Sequence, residues 1–137
     1  MKQKQSGFTL IELLTTIAII GILAATILAA LNDARVQGID AKVKTEMDAI
    51  SKRATVEHAE SLSYDSVCGS NGQATSTYIV RSIASINDFA LSPVRCNSGL
   101  LGYAISVPVD DGFWCIDSTG KKDTYVAALP VGQLTCE

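Results

Sequence analysis

The chain is poor in the residues that most catalytic and binding chemistry needs. Its 137 residues include one histidine (His58), one tryptophan (Trp114) and three prolines, and aromatics make up 6%. A histidine standing alone gives zinc no ligand set, and the four cysteines, Cys68, Cys96, Cys115 and Cys136, contain no CxxC pair. His58 reads as a surface residue of a helix. Basic charge is scarce too: 11 Lys and Arg stand against 14 Asp and Glu, and the stretch from Leu62 to Glu137 holds four basic and seven acidic residues. Direct capture of nucleic acid wants the opposite balance with interleaved aromatics, so it is disfavoured. Phe8 is the one aromatic before Tyr64, which removes the stacked rings that electron conduction would need. Phe113 and Trp114 read instead as sheet and core residues. No nucleophile with a base and no metal cluster is recognisable, so neither an enzyme nor a cofactor is expected. Asp117-Ser118-Thr119-Gly120 with Asp123 lacks the full spacing of an EF-hand and reads as a solvated turn.

The sequence is rich in one thing, an apolar run from Phe8 to Leu31 in which Glu12 is the single charge. At about 1.5 Å per residue this helix would reach roughly 36 Å, enough to cross a hydrocarbon core of about 30 Å with some tilt. Its thirteen Leu, Ile and Phe residues contribute about −6 kcal/mol to insertion, against about +3 kcal/mol for a central Glu. The segment therefore inserts despite Glu12. A carboxylate kept in such a helix is a functional candidate, and no basic residue in the run is there to pair with it.

Gly7-Phe8-Thr9-Leu10-Ile11-Glu12-Leu13-Leu14 follows a short leader carrying Lys2 and Lys4. These residues resemble the processing site of type IV prepilins and the related pseudopilins. The resemblance implies that a membrane peptidase cuts after Gly7 and methylates the new amine of Phe8. It implies as well that Glu12 helps recruit the subunit into a growing filament. The chemistry is consistent: cutting creates an amine that is cationic near neutrality, and a Glu12 carboxylate facing the Phe8 amine of a neighbour relieves two desolvation costs together. The leader lacks an apolar core of its own, unlike an ordinary secretory signal. Its lysines place the N-terminus in the cytoplasm and send the rest outward, a bias reduced by Arg35 on the far flank. Many members of the family carry proline where this chain has Ala29, while Gly21 matches a common glycine position. A straight helix and a bend between Gly21 and Ala30 therefore both fit the sequence.

Beyond Leu31 the helical period persists. Val36, Ile39, Val43, Met47, Ile50 and Ala54 fall on one face, and Asp40 with Lys44 and Asp48 with Lys52 stand at pairing distance on the other. One helix is expected from Phe8 to near Ser61, with Gly21 and Gly38 as weak points. Residues 61–76 read as a loop. Thr77 can cap a short helix through Ile79, Ile83 and Ile86, a strand being the alternative. After Cys96 the period turns to two: Tyr103, Ile105 and Val107 alternate with Ala104 and Ser106, Asp111-Gly112 turns the chain, and Phe113 to Ile116 returns. Ser118 to Lys122 turns again, and Tyr125 to Leu129 completes a meander of about three strands. Four cysteines in a small exported head imply two disulfides. Of the three pairings, Cys68 with Cys96 and Cys115 with Cys136 is preferred because each closes a contiguous segment.

The expected fold is α+β and type IV pilin-like, a long N-terminal helix packed on a small antiparallel sheet. Its parts are a leader (1–7), a transmembrane or filament-core half (8–31), an amphipathic half (32–61) and a disulfide-stapled head (62–137). The expected function is a structural subunit of a type IV pilus. Its partners would be identical subunits in a helical homopolymer, the prepilin peptidase and methylase, membrane lipid before assembly, and an assembly platform with its cytoplasmic ATPase. The precursor would sit in the cytoplasmic membrane and the assembled filament outside the cell. A pseudopilin of a secretion or DNA-uptake apparatus and a tethered monomeric binding protein are the alternatives.

Overall fold

Four successive apolar positions on the long helix, Val43, Met47, Ile50 and Ala54, are almost wholly withdrawn from solvent in the computed structural model, which describes residues 7–69, 72–90 and 92–137. Lys2, Lys4 and the rest of the leader through Ser6 lie outside the described residues. The chain divides into two units, Met1–Val36 and Gln37–Glu137. Helix α1, Leu10–Ser61, is 52 residues long and contributes to both. It passes Gly21 and Ala29 without a break, as a run free of proline allows. It ends where Leu62 turns into the left-handed region (φ 57°) and donates its N–H to the His58 carbonyl.

In the first unit every large apolar side chain of α1 from Leu10 to Leu31 is exposed, and so is Phe8. In the second unit the same helix is amphipathic. Its stripe of Val43, Met47, Ile50 and Ala54 shares one core with Ile79 and Ile86 and with Tyr103, Ile105, Val107 and Ile116. Each fully buried Ile or Met is worth roughly 1.5–3 kcal/mol, which makes this stripe the main attachment of the helix within the unit.

Segment 61–76 contains a short helix, α2 (Asp65–Cys68), in place of the expected loop; Ser63 Oγ accepts the Asp65 N–H at its start. The following helix, α3, spans Thr77–Asn87, so the helical reading of that stretch prevails over the strand. Its N-cap is Ser76 rather than Thr77, and the Ser76 hydroxyl bonds elsewhere, to Glu57.

The sheet has four strands instead of about three, β1 (Arg95–Ser98), β2 (Tyr103–Val109), β3 (Gly112–Asp117) and β4 (Lys122–Tyr125), antiparallel throughout and in sequence order. β1 has no β-branched or aromatic residue to announce it. It forms because Cys96 lies opposite Ile105 and is bonded to Cys68. The last strand begins at Lys122, three residues before the expected Tyr125. Asp117 Oδ1 accepts the N–H groups of Thr119 and Lys121, which shortens the turn. Val126 is fully exposed and leaves the sheet.

Ala104 and Ser106 alternate with the helix-facing residues, yet they too are buried. The C-terminal segment covers that second face: Ala104, Cys115, Leu129 and Cys136 form a smaller core, and Ser106 Oγ accepts the Leu129 N–H. The disulfides join Cys68 to Cys96 and Cys115 to Cys136, with Cα separations of 5.4 and 5.9 Å.

The expected pairs along α1 are replaced by contacts with other elements of the second unit. Asp48 bonds Lys122 on β4 at 2.6 Å, and Asp40 accepts the Asp110 N–H. Lys42 lies over the Phe89 ring and Lys44 over Trp114, 4.7 Å from its centroid. Lysine stems that span apolar surface can reach a ring face in this way, gaining a cation–π contact that an exposed carboxylate does not match. His58 is half-buried, not a free surface residue, and stacks on Tyr64 at 4.2 Å.

Candidate functional site

The candidate site begins with local chain chemistry at the start of α1. Thr9 occupies the position before the first helical residue, and its carbonyl accepts the Leu13 N–H. A threonine there with a glutamate three residues on is the pattern of a capping box, and the bonds are formed. Glu12 Oε2 accepts the Thr9 N–H at 2.8 Å and the Thr9 hydroxyl at 2.7 Å, while Thr9 Oγ1 accepts the Glu12 N–H at 3.3 Å. The carboxylate is thereby folded back toward the helix N-terminus, where the helix dipole favours negative charge.

The other hydroxyls of the apolar run are spent internally. Thr15, Thr16 and Thr26 each donate a hydroxyl to the carbonyl three residues earlier. Such back-bonding is how a hydroxyl is accommodated where water is excluded. Around Glu12 lie Phe8, Leu10, Ile11, Leu13 and Leu14, all more than half exposed. Gly7 and Gly21 are open positions: a Cβ at either would meet nothing within 4 Å. α1 is long and apolar enough to cross a membrane, and none of its most apolar stretch is buried.

The second unit holds two buried carboxylates that the sequence reading passed over or misread. Glu57, 9% exposed, accepts hydrogen bonds from Arg53 Nε on its own helix, from Ser66 on α2 and from Ser76 before α3. Burial pushes its carboxyl up, and the bonds from Ser76, Ser66 and Arg53 outweigh that and hold it below the ordinary range. Asp117 is 2% exposed and no solvated turn. Its Oδ1 accepts from Thr119 and Lys121, and its Oδ2 accepts the Cys136 N–H at 2.8 Å. Burial raises this carboxyl as well, and the donors of Cys136, Thr119 and Lys121 bring it below the usual value.

Both carboxylates are saturated by donors and serve as ties between segments. The spacing that marks Val43, Met47, Ile50 and Ala54 as core continues to Glu57, so periodicity places the residue even though its type hides it. A cleft beside β1, lined by Arg95, Asn97, Ser98, Val131 and Leu134 among others, brings no nucleophile to a base. Among the described residues no group of His, Cys, Asp and Glu is arranged to hold a metal, and every cysteine is in a disulfide.

Residues 2–28 match the model of the prokaryotic N-terminal methylation motif. No curated protein and no solved structure matches the chain.

Proposed function

We propose that this chain, whose residues 2–28 form a prepilin-type signal of the kind borne by type IV pilins and pseudopilins, is the precursor of a structural subunit of a type IV pilus. It is anchored in the membrane by the apolar half of α1. A prepilin peptidase removes residues 1–7 by cutting after Gly7, and the amine of Phe8 is methylated. The subunit then polymerises with copies of itself through residues 8–31. Residues 32–61 carry the head, 62–137, outward, and a cytoplasmic ATPase drives extension through an assembly platform. The supporting observation is the methylation motif joined to a helix whose thirteen large apolar side chains from Phe8 to Leu31 are all exposed. In a membrane those side chains face lipid, and in a filament they face one another.

Within this reading Glu12 is the docking register. Its carboxylate receives the methylated ammonium of a neighbouring subunit's Phe8, a pairing that replaces two separately desolvated charges by one ion pair. Gly21 is the place at which α1 yields if the packed filament requires it.

The test is mass spectrometry of the N-terminal peptide, made on material sheared from the cell surface and on the cell envelope. Methylated Phe8 in the sheared fraction is expected. Methylated Phe8 confined to the envelope assigns the chain to a pseudopilin, and an intact leader in both fractions assigns it to a tethered monomer. Gly7→Leu should abolish the mature N-terminus. Glu12→Ala should leave insertion intact and remove the chain from filaments.

A further inference from the structure

We propose that Thr9 is a positioning residue for subunit docking: it holds one oxygen of the Glu12 carboxylate so that the other is presented to the incoming ammonium. The proposal rests on the reading of Glu12 as the docking carboxylate and adds the group that aims it. The two donors of Thr9, its backbone N–H and its hydroxyl, both go to the same atom, Oε2. Among the described residues nothing donates to Oε1. The hydroxyls of Thr15, Thr16 and Thr26 are turned onto the backbone of α1, so none of them competes for the carboxylate. Among the described residues Oε1 is therefore the one side-chain oxygen between Phe8 and Leu31 that takes part in no hydrogen bond.

A glutamate has three rotatable bonds, and in an apolar medium a free carboxylate would search for any donor within reach. Fixing it through Oε2 removes that search and keeps the carboxylate at the helix start. An ammonium has several hydrogens to give and accepts none, so it suits an oxygen that is charged, unpaired and held in place. The Thr9 bonds need not break when the neighbour binds, because they occupy Oε2 while the ammonium takes Oε1. The backbone N–H of Thr9 is a peptide amide both before and after cleavage at Gly7, so the latch is available in precursor and mature subunit alike.

The experiment compares Thr9→Val, Thr9→Ser and Glu12→Ala in the full chain, expressed in the native cell with its peptidase and assembly machinery. The readouts are the N-terminal peptide mass in the membrane pool and the amount of subunit in sheared filaments. Thr9→Val keeps the size of the side chain and the backbone donor but removes the hydroxyl. It should be cut and methylated as the wild type is, yet reach filaments at a level lower by about tenfold, the loss expected for one charge-assisted hydrogen bond. Thr9→Ser should restore incorporation, an outcome that side-chain volume or β-branching would not produce. Wild-type incorporation of Thr9→Val beside a defective Glu12→Ala overturns the role of Thr9 and leaves Glu12 standing. Failure of Thr9→Ser to rescue overturns it too. Wild-type incorporation of Glu12→Ala overturns the docking reading itself, and the Thr9 proposal with it.

If Thr9→Val is not cut, the uncut wild-type chain in lipid nanodiscs supplies the answer by nuclear magnetic resonance. The Thr9 amide proton should move upfield in Glu12→Ala, and an unchanged shift overturns the latch.

Discussion

Glu57 ties three segments of the second unit together, and its worth follows from what its removal strands. The half-buried Ser66 and Ser76 would each lose the acceptor that the 9%-exposed Glu57 supplies, and the exposed Arg53 would turn to solvent. Glu57→Ala should therefore lower stability by about 2–3 kcal/mol, read from chemical denaturation of the full chain in detergent. The pH dependence has a fixed sign. Both Glu57 and Asp117 sit below the ordinary carboxylate value in the folded chain. Their contribution is complete above the unfolded value and is lost as pH falls through the folded one. The unfolding free energy of the wild type should decline on acidification, and Glu57→Ala should show a shallower decline. Glu12 was legible because an acid in a lipid-length run is conspicuous. Asp117 was not, since a buried Asp-Ser-Thr turn and a solvated one have the same letters; what distinguishes them is the tail that arrives 19 residues later to donate the Cys136 N–H.

Elements were read more securely than their edges. Apolar length carried the first half of α1, the 3.6-residue period carried the second from Val36 to Ala54, and period two carried β2 and β3. β1 escaped because its four residues are held by a disulfide and by a neighbouring strand, not by propensity. The ion pairs expected along α1 failed for a related reason: sequence spacing reports neighbours on one helix, whereas Lys122, Phe89 and Trp114 come from far along the chain. The glycines separate into two kinds. Gly112 joins β2 to β3 at φ 135°, and a Cβ there would lie 2.5 Å from the Tyr125 carbonyl oxygen. Gly38 lies within α1 with open space around it. Gly112→Ala should thus destabilise by about 2 kcal/mol or more. Gly38→Ala should stabilise by about 0.5–1 kcal/mol. Thermal unfolding of the two variants beside the wild type measures both.

For the molecule as a whole, the sheet is covered on both faces, by α1 and α3 on one side and by the C-terminal segment on the other. The sequence allowed the first layer to be read from the stripe on α1, but the second contains only a few apolar residues, and Cys136 is what fastens it. The two disulfides span separations of 28 and 21 residues. On a chain-entropy estimate each stabilises by about 3–4 kcal/mol. Replacing Cys115 and Cys136 by serine should lower the thermal midpoint of the head and expose Leu129 and Ala104 to solvent. Hydrogen exchange should then speed up in residues 129–136 before it does in α3.

The contact between Lys44 and Trp114 has a practical consequence. Trp114 is the sole indole of the chain, half-buried on β3 with an ammonium from α1 over its ring. The protein thus carries its own optical reporter at the junction of helix and sheet. Its emission should shift to the red when α1 leaves the sheet, and Lys44→Met should alter the folded-state spectrum while preserving the cooperative transition. No dye or tag is required to follow the head folding, whether in detergent or in a bilayer.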